Sequence, residues 1–247
     1  MALELPHSIF FHVPKTGGTW VRQAIKNAGI PTNEVGNGIE GINDFRRMKH
    51  AFYHATPRTV HTLGRFNFAF VRNPLTWYQS LWSFQMQRQW ENFVLPASEV
   101  FAEFIQLCAR ENPGFLGRLY ATVYSVDFLG RFETLADDLV RALHLAGEDF
   151  DEDALRCTPP VNVFGQSAPY KERCRYTSSL RDQVVAMEQN LFQKFQFSTD
   201  AVECVPEDMV ENDRRDNTVW PGDAGEKKHV PWVKVQSDRR HPSLQRE

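Results

Sequence analysis

The stretch from Ser8 to Gly29, SIFFHVPKTGGTWVRQAIKNAG, constrains the fold more than any other part of the chain. Ile9, Phe10, Phe11 and Val13 make a short apolar run of β-branched and aromatic residues, the composition of a buried strand. Pro14 has no N–H to give to a ladder, so the strand is expected to end there. Lys15-Thr16-Gly17-Gly18-Thr19 follows. Val21, Ala24, Ile25 and Ala28 then recur at helical spacing up to Gly29, a helix-stop residue. The pattern predicts strand, glycine loop, helix.

A loop of this kind brings backbone N–H groups together at a helix N-terminus, where partial positive charge favours an anion. Gly17 and Gly18 can adopt positive φ and allow close approach. Lys15 adds a full charge, and the hydroxyls of Thr16 and Thr19 can donate to phosphate oxygens. An ordinary tight turn with a surface lysine is the alternative. The order is not that of a Walker A loop, G-x-x-x-x-G-K-[ST], because here the lysine precedes both glycines.

The order P-K-[ST]-G-[GT]-T-[SW], carried by Pro14 to Trp20, resembles the 5′-phosphosulfate loop of the sulfotransferases that use 3′-phosphoadenosine 5′-phosphosulfate (PAPS). The string from His12 to Thr19 is more similar to the Golgi carbohydrate branch, while Trp20 matches the tryptophan that stacks on adenine in the cytosolic branch. The resemblance implies cofactor contacts from Lys15, Thr16, Gly17, Gly18, Thr19 and Trp20.

A second motif follows. Phe66 to Val71 has a buried-strand pattern, and Pro74 suits the first turn of a new helix. That helix carries Ser80, eight residues after Arg72. The V-R-N-P string followed by this serine resembles the family's 3′-phosphate motif. A guanidinium at a strand end can hold a phosphate bidentately, and a serine two turns into the helix can meet the same group. An Arg72 engaged in a surface ion pair is the alternative. Two anion sites imply a nucleotide with phosphate at both ends.

Residues Ala51 to Pro57 predict a short strand ending at His54. His54-Ala55-Thr56-Pro57 resembles the His-x-x-Pro-like element whose histidine is the general base of the cytosolic sulfotransferases. The family's lysine two residues earlier is Phe52 here, so the match is partial. A structural histidine is the alternative, and His50 and His61 lie nearby. His12 is read as a support for the loop.

Around these motifs, residues Ile30 to Asn43 read as loop. Trp77, Tyr78, Trp82, Phe84 and Trp90 are expected mainly in the core, with some lining an acceptor pocket. A helix is predicted over Leu95 to Arg110 with Ser98 as N-cap. Asp127 to Glu133 predicts a strand feeding a helix in which Thr134 and Asp137 have capping-box spacing. Leu135, Leu139 and Leu143 line that helix up to Gly147. This segment resembles the family's arginine-[YF]-glutamate-x-leucine segment, with Glu133 an alternative base but more naturally structural. In the polar loop from Val161 to Tyr176, the resemblance assigns Lys171 and Arg173 to the 3′-phosphate, and a solvated charge run is the equal alternative. Ser179 to Phe197 predicts one amphipathic helix, and from Pro206 an extended or disordered tail, tacked on by Val230 to Val233.

At 247 residues the chain suits one α/β domain. A net charge of −3 argues against a general nucleic-acid binder, so local basic residues must hold any anion. The four cysteines have no CxxC or zinc spacing and are expected reduced and structural. No apolar stretch reaches membrane-span length and no signal-peptide pattern opens the chain, which predicts a cytoplasmic protein. A trimmed domain of a membrane-anchored parent would look the same.

The expected fold is α/β in three layers: a central parallel sheet flanked by helices, P-loop NTPase-like, with the ligand at the carboxyl ends of the strands. The domain is expected over residues 1–204 and the tail over 205–247. The resemblance implies a sulfotransferase that moves the sulfuryl group of PAPS to a hydroxyl or amine of a small-molecule or glycan acceptor, without a metal. In that reading His54 is the base and Lys15 stabilises the leaving phosphate. An ATP-dependent P-loop kinase and a non-catalytic nucleotide- or glycan-binding module are the alternatives. Acceptor and oligomeric state are not legible.

Overall fold

Five strands form one sheet: β1 (Ala2–Glu4), β2 (Ser8–Phe11), β3 (Asn33–Val35), β4 (Phe66–Val71) and β5 (Phe128–Arg131). Their spatial order is β3-β1-β2-β4-β5. The computed structural model describes residues 2–35, 55–62, 64–87, 95–161, 170 and 173–212, all within the unit Met1–Arg214. The predicted strand before His54, together with His50, His54, Trp90, Lys171 and the stretch Val230 to Val233, lies outside the described residues.

β2, β4 and β5 run parallel, whereas β1 pairs antiparallel with both β2 and β3. The sheet is therefore mixed rather than wholly parallel. The cause is local: a tight turn closed by Leu5 N–H donating to Ser8 O at 2.8 Å folds β1 back on β2, and a short turn can join only antiparallel strands. β3 falls in the stretch expected to be loop.

Strand alternation divides the core in two. Phe10, Phe68 and Phe70 face one side, against α1 (Gly18–Asn27), α5 (Leu135–Ala146) and α6 (Glu152–Arg156). Ile9, Phe11, Ala69 and Val71 face the other, against α2 (Pro74–Gln87), α3 (Phe101–Glu111) and α4 (Phe115–Ala121). The same core takes in α7 (Ser178–Met187) and α8 (Gln189–Phe195). Buried on both faces, the sheet carries the two-sided apolar strands of an α/β layer structure.

Several element boundaries differ from expectation. α3 begins at Phe101; Ser98 stands outside it, its Oγ accepting Val100 N–H at 3.1 Å and donating to Glu103 at 2.7 Å. Thr134 does not form a capping box with Asp137; its hydroxyl donates to Asp138 Oδ2 at 2.8 Å, which also accepts Arg131 N–H. The single amphipathic helix is two, broken at Glu188. That side chain is 2% exposed and accepts from Tyr78 Oη at 2.9 Å, Leu116 N at 2.8 Å and Gly117 N at 3.0 Å. It thereby caps α4 from outside that helix. Past residue 204 the chain stays attached, with Val205 N–H donating to Tyr176 O, and forms α9 (Glu207–Asn212).

Candidate anion site at the carboxyl ends of the parallel strands

The three parallel strands end together, and the residues that follow them meet. After β2 comes the glycine loop, after β4 Arg72, and after β5 a single 3-10 turn, Phe132–Thr134. In open α/β sheets this end of the strands is where ligands bind.

Gly17, at φ +86°, is the N-cap of α1, and Val21 N–H donates to its carbonyl at 3.1 Å. The N–H groups of Gly17 to Trp20 therefore have no partner within the helix. Gly17 is required by its positive φ and Gly18 by packing. A Cβ at Gly17 would lie 2.5 Å from Leu135 Cδ2, and one at Gly18 would lie 2.0 Å from His12 Cδ2. His12 thus packs its ring directly against Gly18. Lys15 adopts φ +64°, a left-handed conformation uncommon for a side-chain-bearing residue.

The two threonines differ. Thr16 is 0% exposed and donates to Val13 O at 2.9 Å, so its hydroxyl proton is engaged inside the loop and is not offered to a ligand. Thr19 is exposed. Trp20 is half-buried, with Nε1 donating to Thr158 O at 3.2 Å, which fixes the edge of the indole against the core on the Phe10, Phe68 and Phe70 side of the sheet.

Helix α2 supplies the facing wall. Trp77, Tyr78 and Trp82 are buried in the core, and Trp77 Nε1 donates to Pro14 O at 2.9 Å, tying the helix to the loop. Thr76, Ser80 and Phe84 recur every four residues, share one face and are half-buried. Lys15 Nζ sits 4.0 Å from the Phe84 ring centroid.

Arg72 stands at the foot of this stripe. Its Nε donates to Thr76 Oγ1 at 2.9 Å and its Nη1 to Lys15 O at 3.2 Å, and its guanidinium lies 4.0 Å over the Phe132 ring. Among the described residues it forms no salt bridge with a carboxylate, so the surface ion pair is not what holds it. Burial pulls its pKa down to about 10 against the opposing influence of Tyr120 and Glu133, which leaves it charged at neutral pH. A desolvated cation held by an aromatic face and neutral acceptors is a strong attractor for an anion.

The structure does not bring every predicted residue here. Arg173 Nη2 donates to Glu99 O at 2.9 Å and its guanidinium lies 5.8 Å from the Trp82 ring, contacts that do not involve Arg72 or the loop. Glu133 Oε1 accepts Asn73 N–H at 2.8 Å, a structural use of that carboxylate. Thr76, Tyr120 and Phe132 take part in the site without having been singled out in the sequence. Among the described residues no group of His, Cys, Asp and Glu is placed to hold a metal ion, and no helix is long and apolar enough to cross a membrane.

Compared with protein-family models, curated proteins and solved structures, the chain matches none.

Proposed function

We propose that the chain is a sulfotransferase that moves the sulfuryl group of PAPS to an acceptor hydroxyl or amine and releases adenosine 3′,5′-bisphosphate (PAP). The observation that carries this reading is the pairing of the lysine-bearing glycine loop with an Arg72 cation that forms no salt bridge among the described residues, joined through the Lys15 carbonyl. Two cationic groups on adjacent strand ends suit a nucleotide with phosphates at both its 5′ and 3′ positions.

In this reading Arg72 and Ser80 hold the 3′-phosphate, and Trp20 offers its face to the adenine. The N–H groups of Gly17 to Trp20 hold the 5′-phosphate. As the bond between sulfur and the 5′-phosphate oxygen breaks and the acceptor oxygen or nitrogen bonds to sulfur, Lys15 and those donors stabilise charge on the departing phosphate. The acceptor proton passes to His54, an imidazole suited to that task near neutral pH. The soluble, cytoplasmic setting and a carbohydrate acceptor belong to the same proposal.

Calorimetric titration with PAP, beside ATP with and without magnesium, tests it. Micromolar PAP binding without metal, followed by sulfuryl transfer from labelled PAPS in an acceptor screen, supports the reading. Magnesium-dependent ATP binding with no response to PAP overturns it.

A further inference from the structure

Arg72 has a main chain with no sheet partner. Val71 pairs with Arg131 as the last register of β4, so the N–H and C=O of Arg72 lie beyond the ladder, at a half-buried position. Both groups are satisfied by one side chain. Arg72 N–H donates to Tyr120 Oη at 3.0 Å, and Tyr120 Oη donates to Arg72 O at 2.9 Å. Tyr120, on α4, is 0% exposed. Burial raises its pKa well above the usual tyrosine value, so the hydroxyl keeps the proton it donates. The next peptide is held from the other side, by Glu133 Oε1 on the Asn73 N–H. Asn73 in turn donates to Ser198 O at 2.8 Å and accepts Leu75 N–H at 3.0 Å, starting α2.

We propose that Tyr120 and Glu133 are positioning residues of the anion site: they clamp the main chain at Arg72 and Asn73 and so aim the Arg72 guanidinium at the loop carbonyl and Thr76. The inference rests on the functional reading only in naming the ligand. The clamp itself requires just that Arg72 bind an anion. An arginine has many rotamers, and a guanidinium fixed in one of them meets an anion without losing that freedom on binding. Tyr120 removes backbone freedom at Cα, and Thr76 and Phe132 then fix the side chain.

Glu133 provides a discriminating test because it could act in two opposite ways. As a nearby negative charge it would weaken anion binding, and as a backbone acceptor it would strengthen it. Glu133→Gln removes the charge and keeps an acceptor oxygen, while Glu133→Ala removes both. The clamp predicts that the Ala variant binds PAP and inorganic pyrophosphate several-fold more weakly than the Gln variant, and a purely electrostatic role predicts that the two are equal. Glu133 is exposed, so neither change opens a cavity in the core.

Tyr120→Phe is expected to weaken binding of both probes about tenfold, from the backbone groups left unpaired. Tyr176→Phe is the control: it removes a buried hydroxyl that donates to Leu75 O at 3.0 Å, and it should leave the affinity unchanged. In an Arg72→Ala background the Tyr120→Phe effect should vanish. Equal affinities in the two Glu133 variants, or a Tyr120→Phe effect that persists without Arg72, would overturn the clamp. Pyrophosphate binding without PAP binding removes the nucleotide reading and leaves the clamp measurable. Binding of neither probe removes both.

Discussion

The guanidinium of Arg72 lies 4.0 Å over the ring of Phe132, so the cation after one strand rests on the aromatic face that follows the next. Among the described residues no carboxylate forms a salt bridge with it, and this contact seats the charge while leaving it open to an anionic ligand. Arg72→Ala is expected to weaken PAP binding by about a hundredfold, the scale of a lost charge-assisted hydrogen-bond pair. Phe132→Leu should weaken it only several-fold, because the cation remains. Calorimetry on the two variants checks the ranking, and an equal loss from both would show that the ring does more than seat the cation.

On the proposed mechanism, Lys15 separates function from folding. Its φ of +64° is strained for a residue with a Cβ, by about 1 kcal/mol. Lys15→Gly should therefore fold with equal or greater stability while losing most sulfuryl transfer. Lys15→Ala should lose transfer without the gain in stability. Thermal melting beside a turnover assay reads both, and full turnover in the glycine variant would remove Lys15 from the mechanism.

Gly18 admits no side chain, since its Cβ would fall 2.0 Å from the His12 ring. Gly18→Ala is expected to destabilise the protein by about 1–3 kcal/mol and to abolish PAP binding as the loop shifts. Adding His12→Ala to make room should return part of the stability. Denaturant unfolding of the single and double variants measures the coupling, and strictly additive effects would contradict the contact.

Glu188 is a buried carboxylate whose pKa burial raises, partly offset by its hydrogen bonds from Leu116, Tyr78 and Gly117. Its protonated form is therefore favoured in the folded state relative to the unfolded chain. The sign follows by linkage: this group's contribution to stability is greatest below the ordinary carboxylate range. It falls as pH rises towards the raised value, then stays constant. Glu188→Gln should flatten that part of the stability profile, measured by chemical denaturation from about pH 4 to pH 7. An unchanged difference between the two proteins across that range would count against the assignment.

The parts of the site legible in the sequence are those that local chemistry dictates. A proline after an apolar run, two glycines before a helix and an arginine before Asn-Pro each constrain the backbone where they stand. β2, α1, β4 and the start of α2 accordingly lie close to where the sequence places them. Gly29 at φ +77° ends α1 as expected, with Ile30 N–H reaching back to Ile25 O. Three-residue strands carry no such signal. β1 forms against β2 across a tight turn, and β3 exists because β1 is there to pair with, a partner about thirty positions earlier in the chain. The break at Glu188 was hidden for a related reason: the apolar spacing runs through it unchanged, and the cause is a helix start more than seventy positions earlier. Tyr120 was equally silent, since a buried tyrosine looks like core until its hydroxyl is seen to hold another residue's main chain.

The site draws one member from each parallel strand: Lys15 after β2, Arg72 after β4 and Phe132 after β5. Their convergence requires both parallel ladders to be in register across separations of about sixty positions. A partly assembled chain lacking β5 would carry the glycine loop yet have no seat for Arg72. Ligand affinity is thus a report on completed topology, and by mass action the ligand stabilises only the finished sheet. A nucleotide present during refolding would act as a selector among half-formed states, drawing the population towards the one arrangement in which all three strand ends have met.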